Sequence, residues 1–183
     1  MCADAHAFKI PPPLPINKDV RILIVDDEAS IVELLSSVCL RDDHDVASCT
    51  SSTEALAYLK ANKIDLLITD IAMGPPDGLQ VIREGREVQQ NLLAIAITGY
   101  AGRYGLEEVL AAGASDLMFK PFRMDELRAR VALADERRRM TDSLNARRQQ
   151  LQQMSADMIR GLEQELQEAR RPTSELAERL TKH

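Results

Sequence analysis

Aromatic residues are scarce in this chain: 183 residues include no tryptophan, three tyrosines and three phenylalanines. Any core is therefore built mainly from aliphatic side chains. Cysteine is nearly as rare, with only Cys2, Cys39 and Cys49. Their odd number completes no disulfide framework and their spacing matches no metal motif, so they read as free thiols of a reducing compartment. The histidines His6, His44 and His183 are scattered, which leaves no zinc-ligand pattern. No stretch approaches the run of about 18 apolar residues that a membrane span needs. Met1–Asp19 lacks the continuous apolar core of a signal peptide, so a cytoplasmic protein with no membrane partner is expected. The acidic pI of about 5.2 speaks against a dedicated nucleic-acid binder.

What is present points to two differently built halves. With 45% hydrophobic and 28% charged residues, the chain can bury one ordinary domain with some sequence left over. Met1–Phe122 carries 10 Lys and Arg against 18 Asp and Glu, whereas Arg123–His183 carries 13 against 11. Residues 1–19 hold the run Pro11-Pro12-Pro13-Leu14-Pro15, which favours extended backbone and reads as a flexible lead-in, with a proline-motif ligand as the alternative.

From Val20 onward short apolar runs alternate with helical periods. Val20–Val25 is a β-branched run suited to a buried strand, and Ile31, Leu34, Leu35 and Val38 then recur at helical spacing. The alternation predicts strands over Asp45–Cys49, Ile64–Thr69, Leu92–Thr98 and Asp116–Lys120. It predicts helices over Ser52–Ala61, Gly78–Gln90 and Gly105–Ala112, the last closed by Gly113 as a left-handed cap. Five strands alternating with helices specify an α/β fold, a doubly wound parallel sheet covered on both faces, over residues 20–135.

In such a sheet the carboxyl ends of all strands point to one rim, where ligands bind. Asp26 and Asp27 follow the first predicted strand, Asp70 follows the third, and Thr98 and Lys120 end the fourth and fifth. Singly, each has an ordinary explanation: Asp27 as a helix N-cap, Asp70 as a loop residue, Thr98 as a strand-end filler, Lys120 as a solvated surface charge. Jointly, three carboxylates on one rim repel, and a hard divalent cation such as Mg²⁺ with a nearby ammonium relieves that repulsion. The set reads as a site that accepts a phosphoryl group on a carboxylate.

The segments ILIVDDE (Ile22–Glu28), LLITDIAMGPPDGL (Leu66–Leu79), AIAITGY (Ala94–Tyr100) and GASDLMFKPF (Gly113–Phe122) resemble the receiver domains of bacterial two-component response regulators. That resemblance implies a flavodoxin-like sheet of order 2-1-3-4-5. It further implies Asp70 as phospho-acceptor, Mg²⁺ held by Asp26, Asp27, Asp70 and the backbone carbonyl of Ala72, and phosphoryl oxygens bound by Thr98 and Lys120. A cis peptide bond before Pro121 is expected. The partner would be a sensor histidine kinase or phosphotransfer protein. The only chemistry would be Mg²⁺-dependent self-phosphorylation and self-dephosphorylation at Asp70. Ala72 and Tyr100 occupy the positions that flank the phosphoryl group and tune its lifetime.

The chain also departs from the family pattern. Gly74, followed by Pro75-Pro76, stands where many members carry proline. Three residues before Lys120, where the family usually has the Tyr or Phe that turns inward with the threonine, this chain has Leu117. The reading is a weakened or altered switch in Thr98, Leu117 and Tyr100, with Phe119, Tyr100 or Tyr104 as possible substitutes for the missing ring.

After Met124 there is no strand signal, and no helix breaker stronger than Gly161 before Pro172. Residues 136–171 are predicted to be an extended helix, with a separate short helix or tail over 172–183. Leu144, Leu151, Met154, Met158, Leu162, Leu166 and Ala169 form a narrow stripe with one phase shift near Met158–Leu162, the pattern of a coiled coil. Arg138, Arg147 or Arg148 fall near where apolar residues would be wanted. No compact turn between two short helices and no base-reading cluster occurs here, so direct DNA binding is not expected. A homodimer through this helix, most simply parallel, is the expected assembly, with an unknown output partner. Two readings remain: a complete dimeric adaptor, or the regulatory part of a longer regulator whose output domain, for example a cyclic-dinucleotide enzyme, follows His183.

Overall fold

The computed structural model describes residues 20–99 and 105–180, with side chains through 168. The Pro-rich lead-in, Tyr100 and Tyr104 lie outside the described residues. Strands β1 (Arg21–Val25), β2 (Asp45–Cys49), β3 (Leu66–Asp70), β4 (Leu93–Thr98) and β5 (Asp116–Phe119) alternate with helices α1 (Ala29–Arg41), α2 (Ser52–Ala61), α3 (Gly78–Val88), α4 (Leu106–Ala111) and α5 (Met124–Leu180). All pair in parallel in the order β2-β1-β3-β4-β5, the order expected.

Position in the sheet explains the strength of each strand's pattern. β1, β3 and β4 are interior and read as continuous apolar runs, because both faces are covered. β2 is an edge, so only part of it needs to be apolar. Side chains alternate along each strand. Leu23, Leu67, Ala94 and Ala96 face a core completed by α2, α3 and α4 through Leu59, Ile82 and Val109. Ile22, Ile24, Ile68 and Ile97 face the other core, completed by Leu35 and Val38 of α1 and by Leu127 and Val131 of α5. Gly113 ends α4 at φ 94°, the left-handed conformation that glycine adopts without strain.

The chain divides into two compact units, Met1–Arg138 and Arg139–His183. In the first, Leu127, Val131 and Ala134 of α5 recur at three-to-four spacing and are buried. In the second, every residue from 139 to 168 is exposed. The helix continues through Pro172 to Leu180, so the separate segment expected over 172–183 does not begin at the proline. Proline removes one N–H donor and crowds the preceding turn, which bends or weakens a helix without always ending it.

Candidate functional site

The rim at the carboxyl ends of β1, β3, β4 and β5 gathers the acidic and basic residues singled out in the sequence. Asp26 follows β1 and is fully buried, and one of its oxygens accepts the N–H of Glu28 at 2.9 Å. That bond turns the chain sharply into α1, whose N-cap is Glu28 and which has no side-chain cap bond. Asp27 is therefore not a helix cap here; it is exposed on the rim. Asp70 ends β3 with little exposure, its Oδ1 accepting the Ala72 N–H at 2.7 Å.

Lys120 ties these carboxylates together. Its Nζ donates to Asp70 Oδ2 at 2.6 Å and to Asp26 Oδ2 at 2.8 Å, and Glu28 Oε1 lies at 3.7 Å. The Lys120 N–H also donates to the Thr98 carbonyl at 2.7 Å, continuing the β4–β5 pairing to the rim. The Lys120–Pro121 bond is cis, as expected, and Pro75–Pro76 is cis as well. Thr98 is buried at the end of β4, beside Phe119 in register.

Oxygens of Asp26, Asp27 and Asp70 all lie within 4.8 Å of one another. This all-oxygen donor set, rich in negative charge, fits a hard divalent cation that keeps part of its water shell. Burial pushes the Asp26 carboxyl above its usual 3.8, against the opposing pull of the Lys120 hydrogen bond and the Glu28 N–H. Burial alone would pull the Lys120 ammonium down, but the hydrogen bonds and charges of Asp26 and Asp70 outweigh it and hold it above 10.5. The lysine is thus a fixed positive charge at the Asp70 carboxylate.

Two further residues, Glu28 and Gly78, shape the rim without a motif that marks them in the sequence. Glu28 stands inside the ILIVDDE segment and supplies both the N–H for Asp26 and a third carboxylate near Lys120. Gly78 opens α3, where a Cβ would collide with the Asp70 carbonyl oxygen and come within 2.8 Å of the Ile71 Cα. Asp77 caps the same helix by accepting the Gln80 N–H at 2.8 Å, so Asp77-Gly78 both starts α3 and lets it press against the end of β3.

Of the residues expected to form a switch, Leu117 is partly buried and packs on the α2–α3–α4 core. Phe119 is 50% exposed, so its ring is not packed inward as a replacement. Tyr100 lies outside the described residues.

Comparison with known proteins bears on this geometry. Residues 22–132 match the family described as the response regulator receiver domain. The alginate biosynthesis transcriptional regulatory protein AlgB of Pseudomonas aeruginosa is 32% identical over 131 residues, 71% of this chain and 29% of that protein. The alkaline phosphatase synthesis transcriptional regulatory protein PhoP of Bacillus subtilis is 34% identical over 111 residues, 61% of this chain and 46% of that protein. This chain thus spans less than half the length of these two relatives. Among solved structures, a response regulator receiver domain protein from Clostridium thermocellum aligns with a TM-score of 0.60 at 26% identity, covering 68% of this chain and 98% of that one.

Proposed function

The chain belongs to the response regulator receiver-domain family, and from that premise we propose that Asp70 accepts a phosphoryl group from a partner histidine kinase or phosphotransfer protein. The observation that carries this reading is the Asp70 carboxylate itself, oriented by the Ala72 N–H on one oxygen and by Lys120 on the other. A carboxylate held at both oxygens presents a fixed line of attack. One Asp70 oxygen attacks phosphorus in line, the bond from phosphorus to the partner's imidazole nitrogen breaks, and its electron pair leaves with the imidazole. Lys120 offsets the charge on the phosphoryl oxygens, and the Thr98 hydroxyl donates to one of them. Asp26, Asp27, Asp70 and the Ala72 carbonyl would hold Mg²⁺, which would supply further charge neutralisation for the clustered oxygens. Water later hydrolyses the acyl phosphate, and no other turnover is assigned to the protein.

Transmission runs through α5, whose first turns close one core of the receiver and whose exposed apolar stripe supports a homodimer in the cytoplasm, with no direct reading of DNA. A second reading, in which these residues regulate a longer protein with its own output domain, is supported by the partial coverage of the curated relatives.

Incubation with acetyl phosphate and Mg²⁺, followed by intact-mass measurement, tests the acceptor. One phosphoryl group per chain is expected, lost in Asp70→Asn and reduced about tenfold or more in rate in Lys120→Ala. No uptake by the unmodified protein, or undiminished uptake by Asp70→Asn, would falsify the assignment.

A further inference from the structure

No residue of the second unit from 139 to 168 is buried, yet these residues carry a long apolar stripe. Leu144, Leu151, Met154, Met158, Leu162 and Leu166 are each between 56% and 70% exposed. An isolated helix gains little stability from propensity alone, and a stripe of this kind is covered by another helix in a stable assembly. The distribution of charge around the stripe identifies that helix.

Residues 143–156 contain two charged side chains, Arg147 and Arg148, and no acid; residues 161–168 contain Glu163, Glu165 and Glu168 and no base. Between them, Asp157 and Arg160 pair with each other at 2.5 Å and so neutralise locally. Between residues 143 and 168 the segment is therefore basic toward its start and acidic toward its end, with Asp142 just before it and Arg170 and Arg171 just after. Arg147 also stands in the stripe itself, three residues after Leu144 and four before Leu151. In a parallel pair in register, Arg147 would meet its own copy in the seam and the glutamates would meet glutamates. Like charges in facing positions oppose association and select against that arrangement.

We infer that this stripe is covered by a second copy of the same helix running antiparallel, crossing near Ala156. The inference rests on the homodimer reading above and fixes its orientation. Pairing about Ala156 sets Met154 opposite Met158, Leu151 opposite Gly161 and Leu162, and Arg147 and Arg148 opposite the glutamates at 163 and 165. Arg147 in the stripe then faces acidic residues of the second copy, and Leu144 falls opposite Glu168. The occupant is the chain itself, because the segment is complementary to its own reversed copy.

Two measurements on the full chain test this. Cys39 is buried, with its thiol pushed up to about 12 by that burial, so it resists labelling; Cys2 and Cys49 are replaced by serine. Spin labels are then placed singly through Ser143→Cys and Ala156→Cys. The antiparallel pair gives a short distance at 156 and about 40 Å at 143, from 26 intervening helical residues at 1.5 Å each. A short distance at both sites overturns the inference while leaving the dimer intact. In the second measurement, Arg147→Glu with Arg148→Glu replaces attraction by repulsion at both ends and weakens dimerisation roughly tenfold by sedimentation equilibrium. An unchanged constant, expected for parallel pairing where like simply replaces like, also overturns it. A monomeric unmodified chain at all concentrations overturns both the inference and the homodimer reading, and leaves the Asp70 assignment standing.

Discussion

His44, at the turn from α1 into β2, is buried and its Nδ1 has no hydrogen-bond partner. Burial lowers its pKa from 6.5, against the opposing charges of Asp42, Asp135 and Asp43. The native state therefore binds fewer protons at this position than the unfolded chain does. Stability is full above about pH 6.5 and is lost as pH falls through that value toward the lower native pKa. Urea midpoints measured from about pH 7.5 down to 5 should fall for the natural protein, and the slope should flatten in His44→Phe. At this scale the sequence was most informative about the rim. Asp26, Asp70 and Lys120 each lie at or just beyond the carboxyl end of a strand, and the strand pattern alone places them on one rim. Glu28 and Gly78 were not legible, since the first acts through its backbone N–H and the second through a close approach that no spacing reveals.

Among the elements, β5 is the one whose sequence and expected role diverge. Leu117 fills a half-buried place against the α2–α3–α4 core, and a leucine there is held by packing without any polar tip to draw it outward or inward. Phe119, two residues on, is half exposed and does not take over that place. The amide resonances of α4 and β5 should therefore shift only modestly when beryllofluoride and Mg²⁺ are added, and Leu117→Tyr should enlarge the shift. A large response already present in the natural protein would count against a weakened switch. Strand and helix placement was otherwise plain from the alternation of apolar runs. The passage of α5 through Pro172 was not, because a local breaker rule cannot weigh the turns on either side of it.

At the scale of the whole molecule the two units obey different physics. Met1–Arg138 holds both apolar cores, while residues 139–168 bury nothing of their own. A chain ending at Arg138 should fold cooperatively, keep acetyl-phosphate labelling at Asp70 and sediment as a monomer. Loss of folding on that truncation would mean that the helical half supports the receiver.

The sequence alone determined the alternating α/β fold, the strand-end carboxylates and lysine, and the absence of an aromatic at position 117, because each follows from periodicity or residue type along the chain. Only the tertiary structure decided that Lys120 bridges Asp26 and Asp70, that Asp27 is no helix cap, and that Gly78 lies against the Asp70 carbonyl. Those contacts join residues up to 94 positions apart, and a distance of a few ångströms between strand ends is set by how the sheet closes over its two cores.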